Sequence, residues 1–342
     1  MTSTSLPVST PPATPAPAVG AAAEKPGRSR AQTGAVVVGL LAVVAVPALT
    51  FPAFWLFLSA QVAAFAIATL GLNVLYGRTG QLSLAQATFM GAGAYTGYIL
   101  GSRGHGPLLQ LLAVVAVSLV AGAVVAVPTL RLSGLRLALV TLAVGELFAW
   151  VLVHTTDLTG GSQGANVDPL VIGPLDASVP LFAYLIGLLP ALVATALVLH
   201  LDRTQLGRRM LLVRDSELAA RATGVPIIQT KIVSFLLASV FAGVAGWLYS
   251  GINGFVSPPD FNLFASVYLL VAVVVGGAGS VLGAWVGAAY IVVVPQVFTA
   301  VGIPNLYALL GGALLAVVAL LAPDGLVGLL RSAFRSRRGA AA

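Results

Sequence analysis

Of 342 residues, 58% are hydrophobic and 8% are charged, against about 25% charged in a soluble domain, so there is too little polar surface to face water and the bilayer must serve as solvent. The absence of cysteine excludes disulfides, thiolate metal sites, iron–sulfur clusters and a cysteine nucleophile. A formal charge of +7 would suggest nucleic acid in a soluble chain, but here the basic residues stand between apolar runs as topology signals, and no nucleic-acid partner is expected.

Residues 1–33 are rich in Pro, Ala, Ser and Thr and end in Glu24, Lys25, Arg28 and Arg30. Such a composition cannot bury enough apolar surface to order itself, and a disordered cytoplasmic tail is expected. A signal peptide is the competing reading, but its charged region would be unusually long and further apolar segments follow. With about 20 apolar residues needed per crossing at 1.5 Å rise, spans fall near 35–51, 54–76, 82–100, 108–130, 135–153, 180–200, 231–251, 263–276, 281–299 and 305–322. Pro295 and Pro304 bound the last two, and Gly276, Gly277 and Gly279 interrupt what would otherwise be one helix from 263 to 299. The expected fold is therefore all-α, a polytopic membrane protein of about ten transmembrane helices. It has a transmembrane domain at 34–330 and a basic cytoplasmic tail at 331–342.

Charge supports that count. With the amino terminus inside, ten spans leave 16 of the 17 Lys and Arg residues in cytoplasmic segments, Arg103 being the exception. Nine spans would place the cluster Arg331–Arg338 outside. Gly77-Arg78-Thr79-Gly80-Gln81 and Gly276-Gly277-Ala278-Gly279-Ser280 both open small-residue helices on the same side. This makes them a candidate internal parallel repeat, although glycine reuse in membrane helices explains them equally well.

The longest cytoplasmic loop, 202–230, contains a helix signal. Asp215 or Ser216 can cap the first turn, Glu217 suits its positive end, Leu218 to Thr223 continue it, Gly224 suits a left-handed terminator and Pro226 blocks extension. About two turns are expected, docked by tertiary contacts because so short a helix is not stable alone. Within the membrane, Glu146 in the fifth span has no obvious basic neighbour at helical spacing. A central acidic residue costs roughly 2.5 to 3.5 kcal/mol on insertion scales, so it is expected to face the bundle or an aqueous path, or else to be a hydrogen-bonded structural residue. Asn73, Gln81, Ser83, Gln86 and Thr88 place polar groups around the second and third spans, where a translocation path and interhelical hydrogen bonding account for them equally well. His105, His154 and His200 are scattered without ligand spacing, so no metal is expected. Neither lysine stands in a phosphate-binding loop, since Lys25 precedes Pro26 and Lys231 precedes Ile232.

The run from Arg214-Asp215-Ser216-Glu217-Leu218-Ala219-Ala220 through Gly224-Val225 resembles the Glu-Ala-Ala loop of ATP-binding-cassette importer permeases, in the form found in branched-chain amino-acid permeases of the LivM type. Thr79 to Tyr95, Arg131 to Ala143 and Leu158 to Gly164 resemble three further landmarks of that family in the family's order, and the similarity extends over about residues 55–330. Ala85 and Gln86 stand where the family often has Gly-His, an aromatic common near Arg136 is missing, and Gln163 replaces a frequent Asp or Asn, which leaves the solute open.

The resemblance implies a transport subunit in the cell membrane of a bacterium, with both termini cytoplasmic and surrounded by lipid, and without catalytic residues or cofactor. It implies two separate ATPase subunits, a second related permease forming a heterodimer, an extracytoplasmic solute-binding protein, and as the small-molecule solute a branched-chain amino acid or a related small polar solute such as another amino acid, urea or an amide. It assigns Arg214, Asp215, Glu217, Ala219, Ala220 and Gly224 to coupling with the ATPases. A secondary active transporter is the rival reading; it would use intramembrane ionisable groups, of which Glu146 is nearly alone, and would leave the capped loop helix without a role. An intramembrane enzyme would need paired carboxylates or a nucleophile and base, neither of which is evident.

Overall fold

The computed structural model describes residues 51–129, 134–300, 302 and 325. Both tails, the expected span at 305–322, all but the last residue of that at 35–51, and Arg131 of the third family landmark lie outside them. Helix α1, Ala53–Leu72, starts behind Pro52 and runs into a π-helical turn, Asn73–Gly77. Helix α2 spans Gln86–Gly101, α3 Pro107–Thr129 and α4 Leu135–His154. A connecting region then contains the single turn α5, Thr156–Thr159, and strands β1, Ala165–Asn166, β2, Val171–Ile172, and β3, Leu175–Asp176. Helix α6, Pro180–Leu201, is followed by α7, Gln205–Asp215, and α8, Glu217–Ala222. Helix α9, Ile227–Asn253, leads to strand β4, Phe255–Val256, and a 3-10 turn at Pro258–Phe261. Helices α10, Leu263–Gly276, and α11, Val281–Ala300, close the described chain.

Six described helices are long and apolar enough to cross a membrane: Ala53–Gly77, Pro107–Val127, Arg136–His154, Pro180–Leu201, Ile227–Asn253 and Val281–Ala300. Two more are shorter. Helix α10 has 14 residues, ending at the glycine run as expected, and α2 has 16, which at 1.5 Å per residue is about 21 and 24 Å. The expected start of that third span at residue 82 is corrected to Gln86. Gly80 adopts φ +70°, and residues 80–85 remain non-helical, with the backbone N–H groups of Leu84 and Ala85 taken by the Thr141 and Ser83 hydroxyls instead of by a helical turn. Two small antiparallel pairs form, Ala165 facing Val256 and Val171 facing Asp176, because irregular backbone must find hydrogen-bond partners.

Helix α9 is the hub, packed on α1, α2 and α3, while α1 also packs on α6 and α11. Small residues permit this. A Cβ on Gly93 of α2 would strike the backbone of Gly243 in α9, and Phe89 meets Phe235 edge-on nearby, centroids 5.8 Å apart. In lipid no hydrophobic force draws helices together, so such close approach supplies the association energy through dispersion. The outward faces of α3, α4 and α6 expose Leu112, Val120, Leu147, Trp150, Val193 and Leu197, the faces available to acyl chains or partner helices. The loops segregate by end. Pairing of β1 with β4, and a bond from Val167 N–H to the Gly254 carbonyl (3.0 Å), join the connections after α4 and after α9. At the opposite end, residues 77–81, 202–216 and 276–280 meet.

Candidate functional site

At that opposite end the break after α1 becomes a junction. Asn73 is fully buried; its Oδ1 accepts from Gly279 N–H at 2.6 Å and its Nδ2 donates to the Ser280 carbonyl at 2.9 Å. The two glycine-rich turns read as a candidate repeat thus lie against each other, and a Cβ on Gly77 would collide with Gly279. Arg78, 2% exposed, forms a two-pronged pair with Asp202 at the end of α6, Nε to Oδ1 at 2.6 Å and Nη2 to Oδ2 at 2.8 Å. Gln81 Nε2 donates to Thr79 Oγ1 and Ser234 Oγ, each at 2.9 Å. The spacing of Arg78 and Asp202, 124 positions apart, carries no sequence signal.

Two helices occupy the loop between α6 and α9, where one was expected. Helix α7 was not anticipated, because its arginines read as a solvated stretch. Its signals were Thr204, whose Oγ1 accepts from Gly207 N–H (3.3 Å), and the buried positions Gly207, Met210 and Val213 at helical spacing. Helix α8 occurs where the sequence places it. Ser216 is its cap, accepting from Ala219 N–H at 3.2 Å, whereas Asp215 ends α7. Gly224 takes φ +75°, a conformation costly for any other residue.

The side chains assigned to coupling divide. Arg214 Nη1 donates to the Gly77 carbonyl at 2.5 Å, and its chain lies beside Gly80 and Gly279. Glu217 pairs with Lys231 Nζ at 2.6 Å. Ala220 is buried within this chain, covered by its own bundle. Asp215, Ala219 and Gly224 are exposed, and beside them Leu218 is 79% exposed. Leu218 was missed in sequence reasoning because a leucine in a short amphipathic segment reads as core; its outward placement appears only once α8 is docked.

The residues assigned to the path do not form one cluster. Asn73 and Gln81 belong to the junction. Ser83 is buried and takes the Ala85 N–H at 3.3 Å. Gln86 donates to the carbonyls of Ala68 and Ala238 at 3.2 and 3.3 Å; its buried Oε1, like the buried Thr88 Oγ1, has no hydrogen-bond partner among the described residues. Glu146 is exposed on α4 beside Leu147 and Trp150 and is not packed inside this chain's own bundle. The adjacent Gly145 takes the inward position against Thr88, and one residue along a helix turns the side chain by about 100°.

Residues 54–319 match the family model described as the permease component of the branched-chain amino acid transport system. The chain belongs to this permease family. It is 31% identical over 307 residues to the high-affinity branched-chain amino acid transport system permease protein LivM of Escherichia coli, a match covering 81% of this chain and 71% of that protein. LivM of Salmonella typhimurium matches at the same identity and coverage. The autoinducer 2 import system permease protein LsrC of an Enterobacter species is 28% identical over 260 residues, covering 73% of this chain and 70% of that one. No solved structure gives a significant match. The permease is thus an integral membrane transport subunit of an ABC import system and not an enzyme.

Proposed function

We propose that this permease forms half of a translocation path for branched-chain or other small amino acids, and that α8 is the element through which two separate ATPase subunits drive it. The relatives whose names specify branched-chain amino acids align over more of this chain than those named for autoinducer 2, which supports the solute class. In this reading the transmembrane domain is 34–330, with the junction end, the coupling loop 202–230 and the tails 1–33 and 331–342 in the cytoplasm. The ten-helix count, the parallel repeat related through the two touching glycine turns, a second related permease against the exposed faces of α3 and α4, and an extracytoplasmic solute-binding protein at the β1–β4 end complete it.

The observation that carries the reading is the way the loop is tied to the helix breaks. Asp202 holds Arg78 and Arg214 holds the Gly77 carbonyl, so a displacement of α8 would be transmitted to the turn after α1 and, through Asn73, to the turn before α11. Exposed Leu218 and Ala219 offer the ATPase an apolar face, while Glu217 and Ala220 fix α8 to its own chain. The test is Leu218→Asp in the complete transporter. ATPase subunits recovered with the permease, normalised to permease abundance, should fall at least tenfold, and uptake of labelled leucine should fall in step. Undiminished recovery and uptake would overturn the reading of α8 as the docking element.

A further inference from the structure

Between α1, α2, α9, α10 and α11, toward the β1–β4 end, lies a cavity of about 230 Å³. It is walled by Phe65, Tyr249 and Phe261, and one carboxylate, Asp260, opens onto it. We propose that this cavity is a subsite for the primary ammonium group of a small solute, with Asp260 as its counter-charge and the aromatic rings as its walls. The inference rests on the transport reading above only in assigning the ammonium to a transported amino acid.

Asp260 is positioned by the 3-10 turn, where Ser257 N–H donates to Oδ2 at 3.3 Å in a capping box. That bond occupies one oxygen. No ion pair to Asp260 forms among the described residues, whose two pairs are Arg78–Asp202 and Glu217–Lys231. The groups facing it are the phenols of Tyr95 and Tyr249, which interact electrostatically with its charge, and the buried Tyr95 hydroxyl has no hydrogen-bond partner among the described residues. Burial raises the carboxyl pKa above its ordinary value, opposed by the Ser257 bond. A half-buried carboxylate without a cation is an unfavourable arrangement that a bound cation would relieve.

The walls select the kind of cation. Phe65 and Tyr249 stand edge to face at 5.5 Å, and Tyr249 and Phe261 at 6.5 Å, and ring faces attract an ammonium within about 6 Å. Calcium or magnesium takes six or more oxygen ligands and zinc about four nitrogen, sulfur or carboxylate ligands, neither of which one carboxylate and a few phenols supply. Met90, Leu269 and Ile291 also line the cavity and suit an apolar side chain carried next to the ammonium. Glu146, the acidic residue that sequence reasoning favoured, lies outside this cavity.

The probe is 3-methylbutylamine, a branched alkyl ammonium, with 3-methylbutan-1-ol as its uncharged counterpart, added at millimolar concentration to the purified complete transporter while thermal unfolding is followed. The amine should raise the midpoint by a few degrees, as ligand linkage to the folded state requires, and the alcohol should not. Asp260→Asn retains a capping acceptor and should abolish the shift. Tyr268→Leu, at a half-exposed ring lining the same cavity, should at least halve it. An equal shift with the alcohol, or an unchanged shift in both variants, overturns the subsite. Leucine uptake by the unmodified transporter tests the transport reading separately. An amine shift without leucine uptake would remove the amino-acid assignment and keep the ammonium subsite, whereas uptake without an amine shift would remove the subsite and keep the assignment.

Discussion

Arg78 carries a charge at 2% exposure and is balanced by Asp202, whose side chain is 40% exposed, so the two halves of the pair are not equivalent. Asp202→Ala leaves the guanidinium buried and uncompensated and should cost on the order of 3 kcal/mol, whereas Arg78→Met combined with Asp202→Asn removes both charges and should cost clearly less. A double-mutant cycle on the melting of the purified permease measures both. Losses of the two single variants that simply add up to the loss of the double variant would show that the pair contributes nothing. In the sequence Arg78 read only as a cytoplasmic charge, because pairing across 124 positions has no local signature. Ala220 illustrates the opposite failure. Its small size was legible, but which side of α8 it faces depends on docking. Ala220→Trp should therefore lower permease abundance by overpacking its own bundle, while Leu218→Asp, on the exposed face, should leave abundance unchanged. Quantifying each variant in membranes separates these outcomes, and normal abundance of Ala220→Trp would contradict the packing described.

The helices were largely legible because the bilayer imposes both length and composition on them. Helices α3, α4, α6, α10 and α11 begin and end within one or two residues of the expected positions. Helix α9 begins four residues before and ends two after the expected span, and α2 begins four residues late, because hydropathy continues through Leu82 and Leu84 while the backbone does not. Its start is fixed by Gly80 and by hydroxyls contributed from elsewhere in the fold. Helix α7 was illegible for a different reason, its polar face being counted as loop. The packing of α2 on α9 gives a direct test. A Cβ at Gly93 meets the Gly243 backbone, which cannot yield as a flexible side chain can, while one at Gly106 meets nothing. Gly93→Val should destabilise the permease by about 3 kcal/mol or more and Gly106→Ala by less than about 0.5 kcal/mol. Membrane abundance and melting temperature check this, and tolerance of Gly93→Val would contradict the helix contact.

For the whole molecule, the positive residues and the meeting of loops at two ends point to one orientation. The turn bearing Arg78, the loop 202–216 and the glycine run 276–280 share one end, and the ten-span expectation places 16 of the 17 basic residues of the sequence in cytoplasmic segments. Tags at residue 20, within 205–225 and at 340 should therefore all be shielded in intact cells, while one near 165 should be labelled. Labelling of the tag at 340 would contradict the even number of crossings. The central claim is that the loop both docks the ATPase and transmits its movement through Arg214 to the Gly77 turn. The most direct test is the ratio of ATP hydrolysed to solute moved by reconstituted transporter carrying Arg214→Ala. That side chain touches the glycine turns and not the exposed Leu218 face, so ATPase subunits should remain bound and hydrolysis should continue while uptake fails, raising the ratio at least tenfold. An unchanged ratio, with uptake normal or falling only in parallel with ATPase association, would contradict the account.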